Sequence, residues 1–428
     1  MHKGGAMERA VFTKAAWRLI PFMGLLYVVN YLDRVNVGFA ALTMNRDLGL
    51  SATAYGFGAG IFFLGYFLCE VPSNAILVRV GARRWMFRIM LSWGVVSMAM
   101  AFARTPAMFY FLRFLQGVTE AGFFPGMILY LTFWFPAEAR ARFNGAFLAS
   151  ILIANIVGSP LSGALLGLDG LAGFHGWQLL FLIEGLPAVL LSFSVLAFLP
   201  DSPASARWLN DQEKTEIATV LARESVPPKD LWAGLLHPGI WILGLADIGI
   251  ITTHYGIGLW LPQLVQALGL SELQTGFAVA LPYVAALLVM MAWAHSSDVR
   301  RERVFHVVAP ALLAAASLCV AAALGGGTAT VVALSVAVIA TYAALVVFWT
   351  YPMSFLGGTA AAGGIALVNA IGNLGGFLGP YLLGWLKTET GGFGAGMLVL
   401  AAGLTATAGI VFAFSRNAQD RDRIAAVP

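Results

Sequence analysis

The sequence is short of charge. Only 11% of its 428 residues are Asp, Glu, Lys or Arg, against roughly 25% in a soluble domain. So few charges cannot cover a water-facing surface, while 59% of the residues are hydrophobic and the mean hydropathy is +0.82. Cysteine is scarce too: Cys69 and Cys319 both sit inside apolar runs, which excludes a secreted disulfide scaffold. No Walker motif is present, so ATP does not drive the protein. Metal-ligand clusters, H-E-x-x-H and a nucleophile elbow are also missing, and neither an enzymatic reaction, a cofactor nor a metal is expected. The alternating ten-residue segments of a β-barrel do not occur, and the net charge of +4 marks no nucleic-acid partner.

What the sequence has instead is long apolar runs. A membrane-spanning helix needs about 20 mostly apolar residues, and twelve such runs occur, at 17–42, 54–78, 85–104, 106–133, 143–168, 177–199, 239–264, 273–295, 304–324, 328–350, 360–386 and 392–414. Lipid offers no partner to backbone N–H and C=O groups, so each run is expected to be helical. The 48 glycines and 18 prolines suit membrane helices, which pack through small residues and tolerate kinks. Twenty Lys and Arg residues fall in the terminal segments and loops on one side, three (Arg46, Arg104 and Lys387) on the other, and Arg34 and Arg113 lie within spans. The excess of positive charge places both termini in the cytoplasm. The first run is long, ends in a charged motif and lacks a small-residue cleavage site, so no cleaved signal is expected.

The longest polar stretch divides six runs from six. The expected organisation is a cytoplasmic N-terminus (1–16), a six-helix bundle (17–199), a cytoplasmic linker (200–238), a second bundle (239–415) and a cytoplasmic tail (416–428). R-V-G-A-R-R-W (79–85) and S-D-V-R-R-E-R (297–303) are basic turns at matching places in the two halves. G-S-P-L-S-G (158–163) and G-P-Y-L-L-G (379–384) echo one another in the same way. Such echoes indicate two repeats related by an axis along the membrane normal, a build that places a transporter's site near the midplane between the halves.

Ionisable residues inside a membrane are costly and mark functional candidates. Here they are Asp33, Arg34, Glu70, Arg113, Glu120, Glu184, Asp247 and His254. Tyr27, Tyr31 and Arg34 share one face of the first helix, with Asp33 about 100° around it beside Asn30 and Asn36. Arg113, Gln116, Gly117 and Glu120 form one stripe on the fourth. Two cations and two carboxylates are therefore expected to converge at one depth; the competing reading is a pair of static ion pairs that pin helices. Glu70, Arg79, Gly81, Arg83, Arg84, Asp298, Arg300 and Arg301 are expected to be structural or gating residues, and Glu184 to pin neighbouring helices. Asp247 and His254, seven residues apart, fit either a proton relay or a satisfied polar contact. Trp349, Tyr351, Asn369 and Asn373 line the tenth and eleventh helices, where the asparagines suit either hydrogen bonds to a substrate or interhelical contacts.

The segments Y-L-D-R-V-N-V-G-F-A-A-L (31–42), E-V-P-S-N (70–74), R-V-G-A-R-R-W (79–85), L-R-F-L-Q-G-V-T-E-A-G-F-F-P-G (112–126), W-F-P (134–136), W-L-P-Q (260–263), S-D-V-R-R-E-R (297–303) and G-N-L-G-G-F-L-G-P (372–380) resemble the major facilitator superfamily, within it the anion:cation symporters, and most closely bacterial tartrate- and phthalate-type carboxylate permeases. The resemblance spans nearly the whole chain. It implies twelve helices in two pseudo-symmetric bundles, a multi-pass, monomeric protein of the bacterial inner membrane, a small organic anion as substrate and protons as the coupling ion. It further implies that Arg34 and Arg113 hold the anion, that Asp33 and Glu120 carry protons, and that Tyr31, Tyr66, Trp349 and Asn369 line the pocket. One position departs from the family: the loop after the second helix usually carries an Asp before its first basic residue, and here Val78 stands there. The contact made by that Asp is either missing or taken over by another acid.

The mechanism expected is proton-coupled uptake of a carboxylate, a tartrate-like hydroxy acid favoured, with aromatic carboxylates and sugar acids as alternatives. Protonating Asp33 or Glu120 frees an arginine to bind the anion, so proton and anion favour each other's binding. An exporter of apolar or cationic compounds would not want two arginines in its pocket, and a non-transporting receptor would carry a soluble signalling domain.

Overall fold

The structure, a computed structural model, describes residues 3–224, 237–351 and 358–425. Pro227, Pro228 and Lys229 of the expected linker lie outside the described residues. All the elements are helical. The first group is α1 (Lys3–Asp47), α2 (Ala52–Val80), α3 (Ala82–Ala99), α4 (Pro106–Glu120), α5 (Phe123–Thr132), α6 (Ala137–Leu166) and α7 (Gly176–Phe198). A short polar helix, α8 (Asp211–Glu224), follows. The second group is α9 (Pro238–Gln266), α10 (Glu272–Arg300), α11 (Val304–Leu324), α12 (Gly327–Phe348), α13 (Gly358–Thr390) and α14 (Gly394–Ala425).

Local chemistry sets the helix ends. Ser51 and Thr105 cap α2 and α4 through side-chain oxygens that accept from Ala54 N and Met108 N. Ser271 and Gln274 form a reciprocal capping box at the start of α10. Gly81, at φ +95°, allows the sharp turn between α2 and α3.

Ten helices among the described residues are long and apolar enough to cross a membrane, against the twelve runs expected, and the difference has two causes. The run at 106–133 is split: α4 stops at Glu120, Gly122 takes the left-handed conformation (φ +85°), and α5 starts afresh. Neither piece reaches spanning length alone. The run at 360–386 lies in the continuous helix α13, whose side chains are described mainly from Leu367 on, and that remainder does not count as a span by itself.

Within the first group α1 packs on α6 and α7, and α4 on α2 and α3; within the second, α9 packs on α12, α13 and α14, and α11 on α12 and α14. The groups meet through α2 against α13, α6 against α10 and α1 against α9. Counting α4 and α5 as one span, the first two pairs are span 2 with 11 and span 5 with 8, which exchange when the halves are swapped. At the end of the molecule away from α8, called here the far end, these pairs touch backbone to backbone. Gly56 faces the Pro380 carbonyl and Gly384 the Ala52 carbonyl, while Gly163 faces the Glu272 carbonyl and Gly276 the Ser159 carbonyl. A methyl at any of the four would collide with the facing strand of backbone, and Thr53 Oγ1 donates to Thr388 Oγ1 at 2.8 Å beside them. The echoed segments 158–163 and 379–384 thus become the two halves of one seal.

Candidate functional site

The break between α4 and α5 positions the centre of the site. Glu120 is the last residue of α4, and Gly122 lies so close to Ser73 that no side chain fits there. Glu120 is fully buried at the junction of the two helix groups. Its Oε1 accepts from Arg34 Nε of α1 at 2.5 Å, and Arg34 Nη1 donates to the hydroxyl of Tyr255 on α9 at 3.2 Å. Arg34 therefore ties the first group to the second. Its guanidinium carbon lies 4.9 Å from the ring centre of Tyr66 and 5.4 Å from that of Phe62, distances at which the ring faces attract a cation.

Arg113 lies on the same aromatic platform, 4.9 Å from the Phe62 centre. It donates to Gln116 Oε1 (2.8 Å) and to the Ala59 carbonyl (3.2 Å), with no carboxylate in its hydrogen bonds. Arg34 Nη2, Arg113 Nε and Glu120 Oε2 are buried polar atoms left without a hydrogen bond. Buried cationic N–H groups without acceptors cost free energy, and an entering carboxylate would satisfy them.

Asp33 does not join this group. Its carboxylate accepts from Trp93 Nε1 (2.7 Å), Ser97 Oγ (2.7 Å) and Asn36 Nδ2 (3.3 Å), so three donors inside the first group saturate it. The expected convergence of four charges is a convergence of three. The cause is the helical period: neighbouring residues point about 100° apart, and α3 supplies an indole and a hydroxyl at the Asp33 side.

Tyr31 accepts or donates a 2.6 Å hydrogen bond with His254 Nε2 on α9, a second link between the groups. His254 opens on a small cavity in the second group lined by Thr253, Ile257, Tyr283, Val338, Thr341 and Tyr342. Asn369 makes no hydrogen bond to either arginine and donates to Glu70 Oε1 at 2.9 Å across the α2–α13 contact. Glu70 and Asn369 thus act on each other, and Asn373 follows one turn further along α13. Trp349 caps the end of α12 and is half-buried beside Phe348, two turns beyond Tyr342 along the helix.

Among the remaining expected residues, Arg79, Arg83, Arg84, Arg300 and Arg301 are exposed, and Arg301 takes a left-handed conformation (φ 50°) as it ends α10. Asp298 pairs with Arg303 at 2.7 Å. Beside the loop that carries Val78, Asp201, just past α7, accepts from the Arg83 amide at 2.8 Å and lies against Gly81, a contact within the first group. Glu184 is buried and accepts from Ser162 Oγ at 2.7 Å, joining α7 to α6. The sequence reading missed Tyr255, Phe62 and Asp201. The first two sit in apolar runs with nothing to set them apart, whereas Asp201 could have been found as the first acid after the sixth run.

Long apolar helices in two groups, with buried charge where the groups meet, define a multi-pass membrane transporter. The chain belongs to the Major Facilitator Superfamily, whose family model matches residues 23–380; it is a transporter and not an enzyme. It is 46% identical over 415 residues to a protein of Agrobacterium vitis named "Putative tartrate transporter", covering 96% of this chain and 92% of that one. It is 40% identical to the "Quinolone resistance transporter" of Acinetobacter baumannii, covering 92% of each. Its fold is similar to that of a bacterial homologue of the human lysosomal transporter Spinster, solved in an inward-facing, unoccupied conformation, with a TM-score of 0.75 at 17% identity and 96% of this chain and 97% of that one covered.

Proposed function

We propose that this protein imports a small organic carboxylate together with protons, by alternating access across a bacterial inner membrane, with a tartrate-like hydroxy acid as the favoured substrate. The observation that carries the reading is the buried Arg34–Glu120 contact at the junction of the two groups, with Arg113 on the same platform and uncompensated by a carboxylate. Glu120 is the proton carrier. With Glu120 ionised, Arg34 is neutralised from within. A proton on Glu120 removes that charge and frees the guanidinium for a substrate carboxylate, held bidentately as arginine favours. Arg113 takes a second carboxylate, which favours a diacid, and the relative named for tartrate supports that class. Anion and proton thus promote each other's binding, and the coupling is reciprocal. Asp33 holds α1 against α3 and carries no coupling proton.

With the Lys and Arg residues of the loops facing the cytoplasm, the far end is the outer face, and its glycine seal makes this a conformation closed to the outside. Twelve crossings follow if α4 with α5, and α13, each traverse the bilayer.

The test is uptake into proteoliposomes under an imposed pH gradient. The wild type concentrates tartrate when the outside is acidic, and Glu120→Gln exchanges labelled for unlabelled substrate while failing to concentrate it. Accumulation by Glu120→Gln overturns the assignment. An aromatic carboxylate is the second reading, because the Phe62 and Tyr66 rings face Arg34 and Tyr255 bonds it, with Phe63 packed on Tyr255; competition between phthalate and tartrate in the same vesicles decides between the two.

A further inference from the structure

A carboxylate outside this site stands apart from every other buried acid among the described residues. Asp247, in the first half of α9, is 1% exposed, and neither of its oxygens has a hydrogen bond. By contrast, Asp33, Glu70, Glu120 and Glu184 each accept at least one. Asp247 lies against Gly372 of α13 so closely that only a residue without a side chain fits opposite it. Thr407 of α14, which faces α9 here, donates its hydroxyl proton to the Ala246 carbonyl instead.

Charged and titratable groups on the elements packed around α9 do not reach it. Among them are Tyr27, Tyr31, Asp33 and Arg34 on α1, Tyr283 on α10, Tyr342 on α12, Tyr381, Lys387 and Glu389 on α13, Arg416 on α14, and His254 and Tyr255 on α9 itself. Among the described residues none forms an ion pair or hydrogen bond with Asp247. Taking an ionised carboxylate out of water with no partner costs several kcal/mol, so in this conformation the group is carried neutral, with a proton.

Its place on the helix gives that proton a role. Asp247 and His254 are seven residues apart, on the same stripe of α9 and separated by roughly 10 Å along the axis. His254 touches Tyr31 at the junction of the groups, one turn of α1 from Arg34. Asp247 lies on the α8 side of His254, the cytoplasmic side in the proposed orientation, and nine residues from the start of α9 at Pro238. The acid is also seated between α9 and α13, and α13 carries the α2 contact. Any movement of α13 with the cycle alters what surrounds it.

We propose that Asp247 is a second proton-carrying site of the transporter, holding its proton while α9 and α13 are packed as here and releasing it to the cytoplasmic side when that packing loosens on opening there. Each anion then crosses with two protons, one bound at Glu120 and one at Asp247. A dianion moves without net charge, where one proton would leave a net charge of −1. The inference rests on the proton-coupled reading above, and the experiment separates the failure of one from the failure of the other.

The experiment measures the accumulation of labelled tartrate in proteoliposomes, with the membrane potential clamped at zero and the pH gradient varied. Two coupled protons give about 100-fold accumulation per pH unit at equilibrium and one gives about 10-fold. The expected result is about 100-fold for the wild type and about 10-fold for Asp247→Asn. Equal accumulation by the two proteins overturns the inference, as does a wild-type value of 10-fold, which needs no variant. An effect of replacing sodium by choline on the Asp247-dependent part also overturns it, since the ion would then be sodium. Lack of any pH-driven accumulation by the wild type defeats the coupled-transport reading itself. An infrared difference spectrum of purified wild type minus Asp247→Asn at neutral pH supplies a second readout. A protonated carboxylic-acid carbonyl band supports the assignment, and a carboxylate band overturns it.

Discussion

Trp93 Nε1 donates to the Asp33 carboxylate at 2.7 Å, and this bond turns Asp33 away from Arg34, its neighbour in the chain. Together with the Ser97 hydroxyl it makes Asp33 a part of the α1–α3 packing. Asp33→Asn should therefore lower stability by about 1–3 kcal/mol, since the amide NH2 faces a donor. The pH dependence of uptake should stay as in the wild type. Thermal unfolding in detergent and transport between pH 5 and 8 check the two halves; a flattened pH profile with unchanged stability would reverse the role.

Arg34→Lys keeps the charge and loses the fork. Lysine cannot bond Glu120 and Tyr255 together or present two parallel N–H groups to a carboxylate. Substrate affinity should fall roughly 10- to 100-fold, as measured by calorimetry in the buffer in which the wild type binds. The same change at Arg113, which bonds a backbone carbonyl and Gln116, should weaken a diacid more than a monoacid.

Glu70 and Asn369 join α2 to α13 on the α8 side of the site. Loss of either partner should loosen that side and favour the conformation open toward α8, in which the far end stays closed. In a protein with Cys69 and Cys319 replaced by serine, a cysteine at Thr388 should react more slowly with an impermeant maleimide when Glu70→Ala or Asn369→Ala is added. The double variant should react no more slowly than either single one, with a coupling energy of about 0.5–3 kcal/mol. Strictly additive rates would mean that the two side chains do not act as a pair.

Outside the membrane, Lys14 and the Asn210 amide both bond Glu213 and hold its carboxyl below the usual value. A depressed carboxyl stabilises docking above the ordinary glutamate value of about 4.3 and loses that contribution as pH falls through its lowered value. Spin labels on α1 and α8 should keep a fixed separation from pH 8 down to pH 5 and move apart in more acidic buffer. Lys14→Met should loosen the pair at neutral pH.

How much of this was legible in the residues varies with the kind of signal. Apolar length and the Lys and Arg distribution are one-dimensional properties, and they indicate the helices and the two halves directly. The stripe from Arg113 to Glu120 placed Glu120 correctly because helical spacing is local. It could not reveal that α4 ends there, since Gly122 reads as one more small residue in a glycine-rich chain until its φ is known. Asp33 was misplaced for a different reason: its partners Trp93 and Ser97 are sixty residues or more away, and no periodicity on α1 marks them. The pairing of Asn369 with Glu70 across 299 positions is equally invisible along the chain.

The far-end seal has a consequence for what can regulate the protein. Its four glycine contacts join neutral backbone to neutral backbone, and the hydrogen bond beside them joins two hydroxyls. Dissolved ions screen charges and leave such contacts untouched. Ionic strength in the surrounding solution thus has no purchase on the far-end contacts, and what loosens them has to act from the buried interior.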